Sequence, residues 1–177
     1  KRNQKFKTSK GFRSFYSLDL PLISNTNTLT NRYSFRHYTE LYEENITTTS
    51  FLIKTANSLT NEDIKLSERL FVPSNRLRGF EYGKIGPKDG NDFVGGNFLT
   101  TFNFNSTIPQ LFPNAQNFDF LFFFDVANIW GVDYDSSLDT SNDIRSAAGI
   151  AIDWMTPVGP LNFSLAQPLS KSNGDIT

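Results

Sequence analysis

The strongest constraint on this chain is a pattern with a period of two residues between Phe118 and Trp130, in which one parity forms an apolar wall. Phenylalanine, valine and tryptophan occupy one parity, whereas the other parity includes Asp119 and Asp125. A period of two residues is typical of a β-strand whose two faces meet different surroundings. Further alternating segments occupy residues 11–22, 31–43, 46–59, 97–108, 143–157 and 161–166. The pattern predicts an all-β chain of about seven antiparallel strands.

The composition favours a particular kind of β-structure. Aromatic residues make up 15% of the chain, with 18 phenylalanines, yet the mean hydropathy is −0.37. The apolar residues are therefore diluted almost one for one by polar residues, and no run of about 18 apolar residues suggests a membrane-spanning helix. Transmembrane β-barrels carry this weak signature, because their strands are apolar outside and polar inside.

Connection lengths and tryptophan positions also favour a barrel. Short and long connections alternate along the chain, as they do in outer-membrane barrels. Trp130 and Trp154 lie near the ends of predicted strands, where membrane interfaces favour tryptophan. A soluble β-sandwich also alternates, but its outward face needs no phenylalanine wall. The prediction is an antiparallel transmembrane β-barrel, here a partial barrel, with a soluble β-sandwich as the alternative.

Several classes of function find no support in the sequence. The chain has no cysteine and a formal net charge of −1, so it predicts neither a disulfide framework nor nucleic-acid binding. Its carboxylate pairs lack a histidine, a metal-ligand spacing or a nucleophile motif. We therefore expect no enzyme activity, no cofactor and no metal site. The carboxylates considered for such a site are Asp119, Asp125, Asp133, Asp135, Asp139 and Asp143.

A long segment poor in strand pattern, residues 60–96, interrupts the alternation and is called the long loop below. Long loops inside compact β-domains are usually functional or disordered. Arg78 supplies a fixed charge with a planar set of donors, Gly79 permits a positive φ or a close approach, and Phe80 supplies a side chain to bury. This triplet predicts a loop that docks on the inner wall, with Asp125 of the polar strand face as the carboxylate partner.

The chain contains an ordered set of motifs: Arg78-Gly79-Phe80, Ile85-Gly86-Pro87, Val94-Gly95-Gly96-Asn97, and residues 122–130, 144–161 and 163–169. This set resembles the BamA family of outer-membrane β-barrel assembly factors, in the bacterial surface antigen superfamily. The resemblance runs from about Leu77 to the end of the chain and is weak before it.

The resemblance implies a sixteen-stranded barrel preceded by periplasmic POTRA domains. Residues 1–177 would be the C-terminal part of that barrel: three strands in 11–59, the lumen-docking loop in 60–96, four strands in 97–167, and a loop in 168–177 before a last strand. The loop arginine of the family is held by acidic groups on the wall, which implies Arg78 paired with Asp125. Asn105 stands where the family commonly has a glutamate, and residues 73–75 replace its paired glycines. Pro157, Gly159 and Pro160 would form a periplasmic turn.

The implied function is the folding and insertion of β-barrel proteins into the bacterial outer membrane, without covalent chemistry. Its implied partners are the lipid bilayer, unfolded outer-membrane protein clients and accessory assembly lipoproteins. Two alternatives stay open within the superfamily, a TamA-like factor and a two-partner secretion transporter, both translocation pores. A soluble β-sandwich binding domain is the alternative from another class.

Overall fold

The computed structural model describes residues 8–21, 27–42, 45–60, 62–109 and 118–177. In these residues the chain forms seven long strands and one short hairpin. The strands are β1 (Gly11–Asp19), β2 (Thr28–Glu40), β3 (Ile46–Ser58), β4 (Lys88–Asp89), β5 (Asp92–Phe93), β6 (Phe98–Ile108), β7 (Phe118–Trp130), β8 (Arg145–Thr156) and β9 (Gly159–Ser170). No helix in the described residues is long and apolar enough to cross a membrane.

The seven long strands form one continuous antiparallel sheet in the order β1-β2-β3-β6-β7-β8-β9. Each strand pairs with its neighbour in the chain, apart from the step across the long loop, which carries the β4–β5 hairpin. The prediction of an all-β partial barrel is confirmed. The β-sandwich alternative is wrong, because a sandwich needs two packed sheets and the long strands described here belong to one.

Consecutive residues along each strand point to opposite faces of the sheet, and the two faces have different surroundings. Phe123 is fully buried on the inner face, whereas its neighbour Phe122 is 43% exposed on the outer face. On the edge strand, Leu165 is 74% exposed. The alternation therefore separates an inner face covered by protein from an outer apolar face without protein cover.

The core lies between the inner face and the long loop. Leu77, Phe80 and Ile85 of the loop join Leu52 and Leu99 of the strands in one buried cluster. A loop with this many buried apolar side chains gains roughly 1.5–3 kcal/mol for each large one removed from water. Docking of the long loop thus supplies much of the burial that the sheet alone cannot provide.

Two stacked aromatic pairs mark the ends of β7 on the outer face. Phe98 stacks on Trp130 at 5.7 Å, and Phe118 stacks on Trp154 at 5.1 Å between ring centroids. The 13 residues of β7 extend about 40 Å, which at a strand tilt of about 40° corresponds to about 30 Å across the hydrocarbon core. The two pairs therefore lie at the separation required of two interfacial belts.

The predicted tight turn is a two-residue hairpin connection. Thr156 pairs with Gly159, so Pro157 and Val158 form the turn while Gly159 and Pro160 already belong to β9. Gly159 has a φ of +135°, a conformation that glycine adopts more readily than other residues. The turn lies at the opposite end of the sheet from the long loop.

Two features differ from the sequence expectation. The long loop contains the β4–β5 hairpin, closed by Gly90 with a φ of +59°, and its strands are too short to show alternation. β9 continues to Ser170, whereas we predicted its end at Pro168. Proline is tolerated on an edge strand, and the pairing with β8 shifts register between Ser146 and Ala147. The predicted basic segment 1–10 and the turns at 24–28, 43–45 and 109–115 lie wholly or partly outside the described residues.

A charge placed on the outer apolar face should destabilise the barrel in lipid. Leu165 lies near the middle of β9 and faces outward, whereas its neighbour Ser164 lies on the inner parity. We expect Leu165→Arg to lower the free energy of unfolding of the intact protein in vesicles by about 2–4 kcal/mol. Ser164→Arg is the control and should change it by less than about 1 kcal/mol. Equal effects in urea titrations would contradict the assignment of faces.

Candidate functional site

A row of polar side chains crosses the inner face of the sheet. The register aligns Ser50 of β3 with Asn103 of β6, and Asn103 with Asp125 of β7. These residues are 4%, 3% and 0% exposed. The neighbouring inner row pairs Asn105 with Phe123. Strand periodicity therefore gathers one carboxylate, two amides, one hydroxyl and one aromatic ring on adjacent strands.

Arg78 of the long loop binds this wall through two nitrogen atoms of its guanidinium group. Its Nε donates to Asp125 Oδ2 at 2.7 Å, and its Nη2 donates to Asp125 Oδ1 at 2.8 Å. Nη2 also donates to Asn105 Oδ1 at 2.7 Å. The guanidinium carbon lies 3.5 Å from the centroid of the Phe123 ring. Bidentate, charge-assisted pairing and an aromatic face are strong interactions of arginine.

Gly79 and Phe80 dock beside Arg78 for different reasons. Gly79 has a φ of +83°, and a Cβ atom added there would lie 2.9 Å from Ala166 Cβ of β9. Phe80 is 8% exposed and belongs to the core cluster. The structure thus brings the predicted triplet to the inner wall, with the charge on β7, the glycine against β9 and the ring in the core.

A second arginine, which the sequence analysis did not single out, binds the same row. Arg76 Nη1 donates to Ser50 Oγ and to Asn103 Oδ1, both at 3.1 Å. Asn103 Nδ2 donates to the Arg76 carbonyl at 2.8 Å and to Asp125 Oδ1 at 2.7 Å. Asn103 therefore joins the two arginines to one carboxylate. In the sequence, the available signal for Asn103 was that it falls on the same strand face as Asn105. Its contact with Arg76 is visible only in the structure with the docked loop.

The site holds more positive than negative charge. Among the described residues that form it, there are two guanidinium groups and one carboxylate: Arg78 binds Asp125 directly, whereas Arg76 is linked to it through Asn103. Burial lowers the pKa of Arg76 below the usual range of arginine; Arg36 and Arg32 lower it further, and Asp125 opposes them. Asn105, where the resemblance implies a glutamate, supplies a neutral amide, so the site has a charge deficit of one carboxylate.

A second ion pair fixes the start of the long loop. Arg69 Nη2 lies 2.6 Å from Asp133 Oδ1, and Asp133 Oδ2 accepts from the Ile64 amide at 2.6 Å. The Arg69 guanidinium also lies 4.9 Å from the ring centroid of Tyr134. Asp133 belongs to the acidic segment between β7 and β8. One carboxylate considered for a cation site is therefore committed to holding the loop.

The other carboxylates of that segment stabilise local turns. Asp135 Oδ1 accepts from the Ser137 amide at 2.8 Å, and hydrogen bonds from Ser137 lower the pKa of Asp135. Asp139 accepts from the Ser141 amide at 3.2 Å and from its hydroxyl at 2.6 Å. These contacts are typical Asx turns. In the described part of the chain, no group of three or more histidine, aspartate or glutamate side chains converges as a metal site.

Gly79 tests how closely the loop must approach the wall. We expect Gly79→Ala to destabilise docking, because alanine meets both an unfavourable positive φ and the Ala166 methyl group. Adding Ala166→Gly should restore part of the loss by removing the contact while leaving the φ strain. Protease accessibility of the long loop in the intact protein measures both effects. An unchanged digestion rate in Gly79→Ala would contradict the close approach.

The charge deficit predicts a stabilising substitution. Asn105→Asp places a second carboxylate beside Arg78, and a charge-assisted hydrogen bond is about twice as strong as a neutral one. We expect a gain of about 0.5–1.5 kcal/mol in the free energy of unfolding of the intact protein. Asn105→Ala should have the opposite sign. A loss of stability in Asn105→Asp comparable to that in Asn105→Ala would show that repulsion from Asp125 outweighs attraction to the arginines.

Comparison with known proteins identifies the family. The sequence profile of the Omp85 superfamily domain matches residues 1–177. The chain is 28% identical over 131 residues to outer membrane protein assembly factor BamA of Neorickettsia risticii, covering 71% of the chain and 18% of that protein. It is 28% identical over 130 residues to the protein of the same name in Neisseria meningitidis serogroup B, covering 56% of the chain and 16% of that protein.

A solved structure is similar to this chain over nearly all of its length. The crystal structure of BamA from Haemophilus ducreyi lacking POTRA domains 1–3 matches with a TM-score of 0.88 and 26% identity, over 99% of the chain and 38% of that protein. The chain thus spans less than a fifth of the length of the two sequence relatives. On the profile match over residues 1–177, the chain belongs to the Omp85 superfamily.

Proposed function

We propose that this chain is part of an assembly factor that folds and inserts β-barrel proteins into the bacterial outer membrane. The two relatives reported above carry the name of such a factor, and the fold matches a solved BamA. The observation that carries the proposal furthest is the long loop on the inner wall, held by Arg78 and Asp125. The relatives support an assembly role rather than a TamA-like or two-partner secretion pore.

The docked loop contributes to this activity by fixing the shape of the wall. Arg78 and Arg76 link β3, β6 and β7 from inside, and Gly79 lies against β9. A sheet braced in this way keeps its curvature when one of its edges opens. Exposed strand edges are templates for pairing with another chain. The charged site therefore acts by positioning strands rather than by reacting with a substrate.

Assembly by strand templating needs no covalent step. In lipid, every backbone N–H and C=O group must find a partner, so an incoming strand gains stability by pairing with an edge already present. We propose that clients pair at the seam between the first and last strands of the complete barrel. The residues described here would hold the wall next to that seam. No nucleotide, metal or cofactor enters this mechanism.

The two ends of the sheet would meet different partners. The outer apolar face between the aromatic pairs would contact the lipid bilayer. The turn at Pro157 and Val158, with Val158 96% exposed, would face the periplasm, and accessory assembly lipoproteins would bind the periplasmic side. Unfolded outer-membrane proteins would be the clients.

Loss of the loop's ion pair should impair assembly in cells. Arg78→Ala leaves the Asp125 carboxylate buried and unpaired, and breaking a buried pair costs about 3–5 kcal/mol. We expect cells that depend on the intact Arg78→Ala or Asp125→Ala protein to contain less folded outer-membrane protein. Heat-modifiable mobility of a porin on gels measures this.

Lys88→Ala is the matched control, because it removes an exposed cation from β4 of the same long loop. It should leave the level of folded porin unchanged. Normal porin levels in both Arg78→Ala and Asp125→Ala cells, with normal amounts of the variant proteins, would contradict the proposed role of the docked loop.

A further inference from the structure

A third ion pair, buried on both sides, lies one row away from the docking site. Arg145, the first residue of β8, and Asp175 have side chains that are 1% and 2% exposed. Arg145 Nε donates to Asp175 Oδ2 at 2.8 Å, and its Nη2 donates to Asp175 Oδ1 at 3.2 Å. Arg145 Nη1 also donates to the Asp143 carbonyl at 2.8 Å and to Asn128 Oδ1 at 3.3 Å. The arginine is therefore fixed to the wall.

Asp175 belongs to residues 171–177, called the tail segment here, which follow the edge strand β9 directly. Its Oδ2 accepts from the Ser172 amide at 2.7 Å, and its Oδ1 accepts from the Gly86 amide of the long loop at 3.4 Å. Ser172 Oγ in turn donates to Asp143 Oδ2 at 2.6 Å. One carboxylate thus contacts the wall, the tail segment and the long loop.

Main-chain bonds continue this contact between the tail segment and the loop. Glu81 N donates to the Ile176 carbonyl at 3.0 Å, and Ile176 N donates to the Lys84 carbonyl at 3.1 Å. Two such bonds contribute little without further anchoring. The buried ion pair supplies this anchoring, because separating Arg145 from Asp175 would leave an unpaired buried charge.

We propose that Arg145 and Asp175 form a clasp that ties the tail segment to the long loop, so that loop docking at Asp125 sets the path of the chain beyond the β9 edge. The inference rests on the proposed function, in which the edge of the wall is where strands pair. Arg145 and Asp175 are positioning residues in this account. The loop contacts β9 through Gly79 at Ala166, and it contacts the tail segment that follows β9 through Asp175 of the clasp.

The test uses a disulfide between the loop and the tail segment. This chain contains no cysteine, so Glu81→Cys with Ile176→Cys adds one reporter pair to the intact protein, with any cysteine elsewhere replaced. The main-chain bond between these residues brings them within the usual range of a disulfide. The rate of disulfide formation in the purified, membrane-reconstituted protein reports how long the tail segment stays on the loop.

We expect Arg145→Met and Asp175→Asn to slow disulfide formation about tenfold or more, as expected for loss of one partner of a buried pair. Lys88→Met is the control, because it removes an exposed cation of the same loop and leaves the Arg69 and Arg78 ion pairs intact. It should change the rate less than about twofold. Rates in both clasp variants equal to that in Lys88→Met would overturn the clasp.

A distant substitution tests the coupling itself. Asp125→Ala touches neither reporter residue, yet it should slow disulfide formation if loop docking sets the tail position. An unchanged rate in Asp125→Ala would overturn the coupling. Asp175→Asn keeps the size of the side chain and serves if Arg145→Met does not fold, as judged by heat-modifiable mobility. The assay contains no client protein, so its result is independent of porin assembly in cells and a failure of either proposal is seen separately.

Discussion

The rest of the structure depends on the buried carboxylate of Asp125. It is fully buried on β7, and its two oxygens accept from Arg78 and Asn103. The Arg78 amide donates to Oδ2 as well, at 3.2 Å. A buried carboxylate without such donors would be neutral or strongly destabilising. The long loop therefore does more than cover the wall, because it satisfies a charge that the wall cannot satisfy alone.

The surroundings of the ion pair show how strand periodicity builds a site. Phe123, two residues before Asp125, lies under the Arg78 guanidinium. The Phe123 ring lies close to Gly149 of β8, where a Cβ atom would come within 2.7 Å of Cζ. Glycine at that position thus leaves room for the ring, and the ring supports the arginine. The same period of two places Phe122 and Phe124 toward the membrane, so one strand serves both surfaces.

Sequence patterns predicted the alternating strands and the pairing of Arg78 with Asp125. Alternation gave the bounds of β7 and the inner position of Asp125, because lipid and lumen act on every second residue. It did not reveal the β4–β5 hairpin, since two-residue strands contain no period. No partner was predicted for Arg76, because its partners, Ser50 and Asn103, are polar but uncharged. The Arg145–Asp175 pair joins residues 30 apart, with two strands and a turn between them, which no local pattern encodes.

The central claim is that Arg78 and Asp125 stabilise each other, and a double-mutant cycle measures this most directly. The free energy of unfolding of the intact protein in vesicles is compared among wild type, Arg78→Met, Asp125→Leu and the double variant. Each single variant leaves one buried charge, so the account predicts a coupling energy of about 1–3 kcal/mol. Additive single effects, within about 0.5 kcal/mol, would contradict it, because the loop would then dock through apolar burial alone.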